Sequence, residues 1–203
     1  MHAEEIISLY QQNNSVPEIA KDHHLSLDYI YRLLKKHNIP RRNRSLQNKI
    51  RFEKKPLSFQ FHEPLVRQEE DLFIAGLMLY MGEGAKTGNT VDFANSDPRL
   101  LKIFILFLRK ICGVEEGKMR FYLYCFSDQN SDSLKAFWSK ELKVDSNQFT
   151  KPYIKESAPV KAPKKTRIMP YGVLHIRYND KRLLEKMLSL CSTLIARLTI
   201  QHG

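Results

Sequence analysis

The feature that most restricts the fold is a change in the spacing of apolar residues near residue 69. Up to about residue 39, apolar side chains recur at three- and four-residue intervals, and residues 40–68 carry no sustained period. After residue 69, helical stretches alternate with segments of period two. The clearest of these is "MRFYLYCF", where Met119, Phe121, Leu123 and Cys125 share one face and Arg120, Tyr122 and Tyr124 the other. The pattern predicts an α+β domain with a helix over 70–82, a strand over 89–95, a helix over 97–112, a strand over 118–126 and a helix over 131–143. Strands at 148–155 and 171–178 follow, read as a hairpin, then a helix over 180–198. Between the hairpin strands, "ESAPVKAPKKTRIMP" (156–170) reads as a mobile, basic excursion.

Two segments of this region echo each other. "VDFANSDPRLLKIF" (91–104) and "LHIRYNDKRLLEKM" (174–187) both run from strand through turn to helix start. Asp97, Arg99, Leu100 and Leu101 correspond to Asp180, Arg182, Leu183 and Leu184. This suggests a duplicated half-domain. The alternative is that Ser96 and Asn179 are ordinary N-caps before ordinary amphipathic helices.

The N-terminal stretch is helical throughout. Ile6, Ile7, Leu9 and Tyr10 mark a first helix. Ser15 caps a second, with Glu18 at its third position and Val16, Ile19 and Ala20 inward. Ser26 caps a third, with Leu27, Ile30, Leu33 and Leu34 inward and Asp28, Tyr29, Tyr31, Arg32, Lys35 and Lys36 on the other face. Residues 40–68 lack sustained periodicity and carry Arg41, Arg42, Arg44, Lys49, Arg51, Lys54 and Lys55. They read as a basic linker with a short helix near 45–53.

Charge narrows the function. Against 22 Asp and Glu stand 33 Lys and Arg, a formal net charge of +11, which points to a polyanionic partner, nucleic acid ahead of an anionic membrane. Cys112, Cys125 and Cys191 stand far apart in apolar runs, without zinc-ligand spacing, as buried thiols of a reducing compartment do. The N-terminus is too acidic for a signal peptide, and no apolar run approaches the roughly 20 residues of a membrane span. A cytoplasmic, nucleoid-associated protein is expected.

"SVPEIAKDHHLSLDYIYRLLKKHNI" resembles the helix-turn-helix domain of Hin-type recombinases and resolvases. The resemblance implies a third helix in the major groove, with Tyr29, Tyr31, Arg32, Lys35 and Lys36 toward bases or phosphates. Arg41, Arg42 and Arg44 of "IPRRNR" would form an arm along the minor groove or the backbone. The catalytic domain of those recombinases has no counterpart here, so recombination is not implied.

"DLFIAGLMLYMGEGAK" (71–86), followed by "FANSDP", "FWSKEL", "QFTKPYIK" and "YGVLHIRY", resembles the LAGLIDADG homing-endonuclease fold in its divergent GEGAK form. The resemblance implies an antiparallel sheet saddle on double-stranded DNA, here presenting Lys86, Arg120, Tyr122, Tyr124, Lys151, Tyr153, Lys155, His175 and Arg177. It also implies a helix seam at Ala75, Gly76 and Gly82, and an acid, Glu83, holding Mg²⁺ beside the scissile phosphate. The chain departs from the active pattern, with Met81 and Glu83 where that pattern has a pair of acids. The second half offers "LKAFWSKELKVDS" as a degenerate counterpart, with Asp145 near its end. Either this makes an internal pseudo-dimer, or two chains pair through residues 72–82 and bring two copies of Glu83 together. Asp92 is a further local acid. Phe137 and Trp138 read as core.

The expected organisation is therefore a helix-turn-helix domain (1–45), a basic linker (46–68) and a LAGLIDADG endonuclease-like domain (69–203). The expected function is sequence-specific binding of double-stranded DNA, as a transcriptional regulator with a degenerate nuclease site. The alternative is an active Mg²⁺-dependent DNA endonuclease using Glu83, and a third possibility is an RNA-binding or architectural factor.

Overall fold

The computed structural model describes residues 2–64, 66–156 and 169–201, in two compact units, residues 1–57 and 58–203. The first holds α1 (Ala3–Gln11), α2 (Val16–Asp22), α3 (Leu27–Lys36) and α4 (Arg44–Glu53). Its core is Ile6, Tyr10, Val16, Ile19, Ala20, Ile30 and Leu34. Local chemistry sets the helix boundaries. Ser15 and Glu18 close a reciprocal capping box at the start of α2, and Ser26 accepts from the Tyr29 amide at the start of α3. Each of the first three helices ends on a left-handed residue, Asn13, His24 or Asn38. The following amides, of Asn14, Leu25 and Ile39, bond back to the carbonyls of Leu9, Ala20 and Leu34. Leu27, expected inward, is 47% exposed, because only Ile30 and Leu34 on α3 face the core fully.

The expected linker is divided between the two units. Residues 44–53 form α4, capped by Asn43, within the first unit. Residues 58–62 belong to the second, extended along 111–115. The Gln60 amide donates to Gly113 O (3.1 Å), His62 to Ile111 O (3.1 Å), and Glu115 to Ser58 O (3.1 Å). Gly113 has φ +56°, and a Cβ there would sit 2.4 Å from Gln60 O, so this approach requires glycine. Ser58 is buried: its Oγ donates to Asp180 Oδ2 (3.0 Å) and accepts from the Tyr178 hydroxyl (2.8 Å).

The second unit runs α5 (Arg67–Glu83), β1 (Val91–Asn95), α6 (Pro98–Lys110), β2 (Met119–Phe126), α7 (Ser131–Leu142), β3 (Tyr153–Lys155), β4 (Val173–Tyr178) and α8 (Lys181–Gln201). The class is α+β. The sheet order is β1-β4-β2-β3, with β4 antiparallel to both neighbours and β3 parallel to β2. The sheet is thus mixed rather than antiparallel, and β3 and β4 do not form the expected hairpin. After α7 the chain already runs alongside β2 in parallel, with Phe149 bridged to Phe121 and the Thr150 amide donating to Phe121 O (2.9 Å). That takes up one side of β2, and β4 pairs on the other. Most of 156–170 lies outside the described residues.

One sheet face carries the core. Val91, Phe93, Met119, Phe121, Leu123, Leu174, Ile176 and Tyr178 are buried with α5, α6, α7 and α8 against them. Trp138 is fully buried there, its Nε1 donating to Tyr171 O (2.9 Å), and Phe137 stacks on Tyr171. The internal echo is a local two-fold. Phe93 pairs with Ile176, its own counterpart in the echo, while Val91 pairs with Tyr178 and Asn95 with Leu174. Both units continue into helices capped by the aspartate of D-x-R, rather than by Ser96 or Asn179. Asp97 accepts from the Arg99 amide (2.9 Å) and Asp180 from the Arg182 amide (3.0 Å).

The glycine-bearing helix α5 packs on α6 and α8, while α7 packs on α6. A Cβ on Gly76 would lie 2.2 Å from the ring of Phe107 on α6. The close approach that excludes a side chain at Gly76 is therefore internal to the unit, not a seam with a second motif helix. Gly82 faces open space, and Ala75 is half-buried. The counterpart expected in α7 is not a packing partner of α5 in this arrangement, because α6 and α8 occupy that helix.

Candidate nucleic-acid interface

On the first unit, Tyr29, Arg32, Lys35 and Lys36 project from the exposed side of α3, and Arg32 is paired with Asp28 one turn earlier. Tyr31 and Arg42, both expected toward DNA, are used internally. Tyr31 is half-buried with the Arg41 guanidinium 3.8 Å over its ring. Arg42 stacks 3.9 Å over Tyr10, donates to Asn14 O (3.0 Å) and Tyr10 O, and its amide donates to the Tyr10 hydroxyl (3.0 Å). Arg42 thus anchors the segment leading to α4 and satisfies carbonyls at the end of α1. A hollow of about 630 Å³ lies beside it, with Arg41, Arg44, Arg51 and Lys54 on its wall. Glu18 on the same wall is paired with Lys54 (3.2 Å). Tyr10, on which this arrangement hangs, was legible only as a core residue.

On the second unit the sheet face away from the helices is open, and pairing arranges its side chains in rows. The first row is Asp92, Arg177 and Arg120, on β1, β4 and β2. The second is Ala94, His175 and Tyr122, and the third is Val173, Tyr124 and Tyr153. Lys155 follows, opposite Phe126. The rings form one cluster. Tyr124 lies 5.1 Å from Tyr122, 4.9 Å from Tyr153 and 5.0 Å from His175 between centroids. Arg177 stacks 4.6 Å over Tyr122. Asp92 accepts from Arg177 Nε and meets His175 Nδ1, both at 2.8 Å. Burial pushes the Asp92 carboxyl up, but the His175 hydrogen bond and the charges of His175 and Arg177 outweigh it and hold it below its ordinary value. Arg120 stands opposite Arg177, an unfavourable like-charge pair across a sheet, and turns its Nη1 to Gly117 O and Met119 O. Lys151 is exposed just before β3.

The residues after α5 run antiparallel along the free edge of β1, with Gly84 bridged to Phe93 and the Ala85 amide donating to Asp92 O (2.8 Å). Tyr80 locks this turn. Its ring leaves no room for a Cβ on Gly84, its hydroxyl donates to Ala85 O, and burial pushes its pKa up to about 12. Glu83 is exposed at the C-terminal end of α5. Lys86 bonds to the Gly84 carbonyl instead of pairing with it.

The acids do not assemble into a metal site. Asp92 is taken up by His175 and Arg177, and Asp145 caps a short turn by accepting from the Asn147 amide (2.8 Å). Among the described residues no group of three or more His, Cys, Asp or Glu could hold a metal ion. Nor is any described helix long and apolar enough to cross a membrane. No family model, curated protein or solved structure matches this chain.

Proposed function

We propose that this protein binds double-stranded DNA at specific sequences, with α1–α3 as a helix-turn-helix and the second unit as a LAGLIDADG-like module whose nuclease site has degenerated. In this reading the protein is a transcriptional regulator. The observation that carries it is α3: a short, capped helix whose buried side is two aliphatic residues and whose exposed side is Tyr29, Arg32, Lys35 and Lys36. The second unit adds support, since Arg120 and Lys155 are exposed on an open sheet face, where an anionic partner can meet them. The test is selection of bound sequences from a randomised duplex pool, followed by titration of the winner. Arg32→Ala with Lys35→Ala should weaken the selected site by about 10- to 100-fold and flatten the salt dependence by about two counterions. A pool that yields no enriched sequence overturns the proposal.

Glu83 favours a second reading, a Mg²⁺-dependent endonuclease. An exposed carboxylate at a helix C-terminus opposes the macrodipole. Among the described residues no group of three or more His, Cys, Asp or Glu could hold the metal ion, so cleavage would require another copy of Glu83 from a paired chain. Metal-dependent nicking of the selected site, absent in Glu83→Gln, would establish this reading, and intact DNA from the unmodified protein would remove it.

A further inference from the structure

We propose that the open sheet face of the second unit takes unpaired bases of single-stranded DNA, stacked on Tyr122, Tyr124, Tyr153 and His175. The inference rests on the DNA-binding reading above and narrows which form of DNA this face accepts.

Five features of the face point this way. The rings stand in two consecutive rows, about 6.8 Å apart along the strands, running from His175 on β4 across β2 to Tyr153 on the edge strand β3. Tyr124 is 37% and Tyr153 48% exposed, so ring surface is presented to solvent rather than packed away. The ring-to-ring contacts of Tyr124 with Tyr122, Tyr153 and His175 hold the platform in place before anything binds. Cations bracket the rings along the strand direction, Arg120 beside the Asp92-paired Arg177 on one side and Lys155 on the other. The acid of the face, Asp92, is already paired with Arg177 and hydrogen-bonded to His175.

The pairing of a central aromatic band with cations at both ends fits a backbone that follows the charges while its bases meet the rings. An intact duplex cannot use the band in this way. Each of its bases is covered on both faces by neighbours about 3.4 Å away, leaving only edges and phosphates to meet the rings. The strand positions of this face carry no amide and no aliphatic hydroxyl. Between the charged rows they offer Ala94 and Val173 beside the rings. A thymine methyl would meet these apolar side chains and a uracil has none to offer them, which favours DNA over RNA.

The full-length chain tests this by fluorescence anisotropy at one salt concentration with four labelled probes. These are an intact duplex, the same duplex with an internal unpaired thymidine bubble, a short oligothymidylate and the matching oligouridylate. The bubble should bind more tightly than the intact duplex, and oligothymidylate more tightly than oligouridylate. Tyr124→Leu with Tyr153→Leu should cost about 5- to 100-fold on the bubble and on oligothymidylate, and less than about twofold on the intact duplex. Tyr124→Phe with Tyr153→Phe, which keeps both rings, should bind as the unmodified protein does. Equal affinity for bubble and intact duplex overturns the inference and leaves the duplex reading standing, whereas no binding to any DNA removes both. Preference for oligouridylate overturns the assignment to DNA. The bubble comparison needs no variant, so a Leu pair that fails to fold does not rescue the proposal.

Discussion

Replacing Gly76 by alanine sets two opposed effects against each other within α5. In a helix interior the substitution ordinarily gains about 1 kcal/mol, because glycine loses the most backbone entropy on folding. Here the added methyl would lie 2.2, 2.4 and 2.7 Å from three carbons of Phe107, where contact normally begins near 3.5 Å. The Phe107 ring would have to retreat by more than an ångström. It is fully buried and held by Phe61 and Phe104, with centroids at 6.4 and 5.9 Å, so it has nowhere to go. Overpacking of this kind costs about 1–3 kcal/mol and the larger part should survive the propensity gain. We expect a net loss of up to about 2 kcal/mol, a fall in Tm of up to about 8 °C for a unit of this size. Gly82→Ala is the internal control, since nothing lies within 4 Å of its Cβ and only the propensity gain remains. Phe107→Leu in the Gly76→Ala background should recover part of the loss, so that the double variant is more stable than the two single costs predict. Differential scanning calorimetry with urea titration reads all four. A Gly76→Ala protein as stable as Gly82→Ala would show that the helix pair is not held as tightly as this contact implies, and the close-approach account of Gly76 would fail.

Three other outcomes follow from the same geometry. Removing residues 58–67 should destabilise the second unit by several kcal/mol, because Asp180 and Tyr178 lose their buried partner. Ser58→Ala in the full chain should cost about 1–3 kcal/mol, read by urea titration. Asp92 has a folded-state carboxyl below its ordinary 3.8, so its contribution is present above that value and lost as pH falls through the lowered one. Asp92→Asn should therefore flatten the acid limb of stability against pH below about 4 and leave neutral pH behaviour otherwise similar in slope. Arg42→Ala should lower the Tm of the first unit while leaving the salt slope of DNA binding unchanged. Lys36→Ala should do the reverse, because only Lys36 points outward.

What the sequence determined by itself is what depends on neighbours along the chain. Helix starts at Ser15 and Ser26 are hydrogen bonds within three residues and stand where the spacing places them, while the two D-x-R helices start one residue later than expected, capped by Asp97 and Asp180. The two faces of β2 follow from strict alternation, so Tyr122, Tyr124 and Arg120 could be set apart from the core before any tertiary contact was known. The echo of D-x-R-L-L was visible as well, although that its strands pair about Phe93 and Ile176 was not. Tertiary structure alone decided the rest. β3 lies parallel to β2 on the side opposite β4, and no local pattern records which edge of a strand a distant segment takes. Gly76 looked like a seam for a second helix and is a seat for Phe107, since a glycine announces close approach without naming what approaches. Arg42 reads as part of a DNA arm and Tyr31 as part of a recognition helix, and both serve the interior of the first unit, because a cation binds a carbonyl and a ring as readily as a phosphate. Periodicity is local and cheap to read, whereas partner choice is set by which distant groups the fold brings within reach.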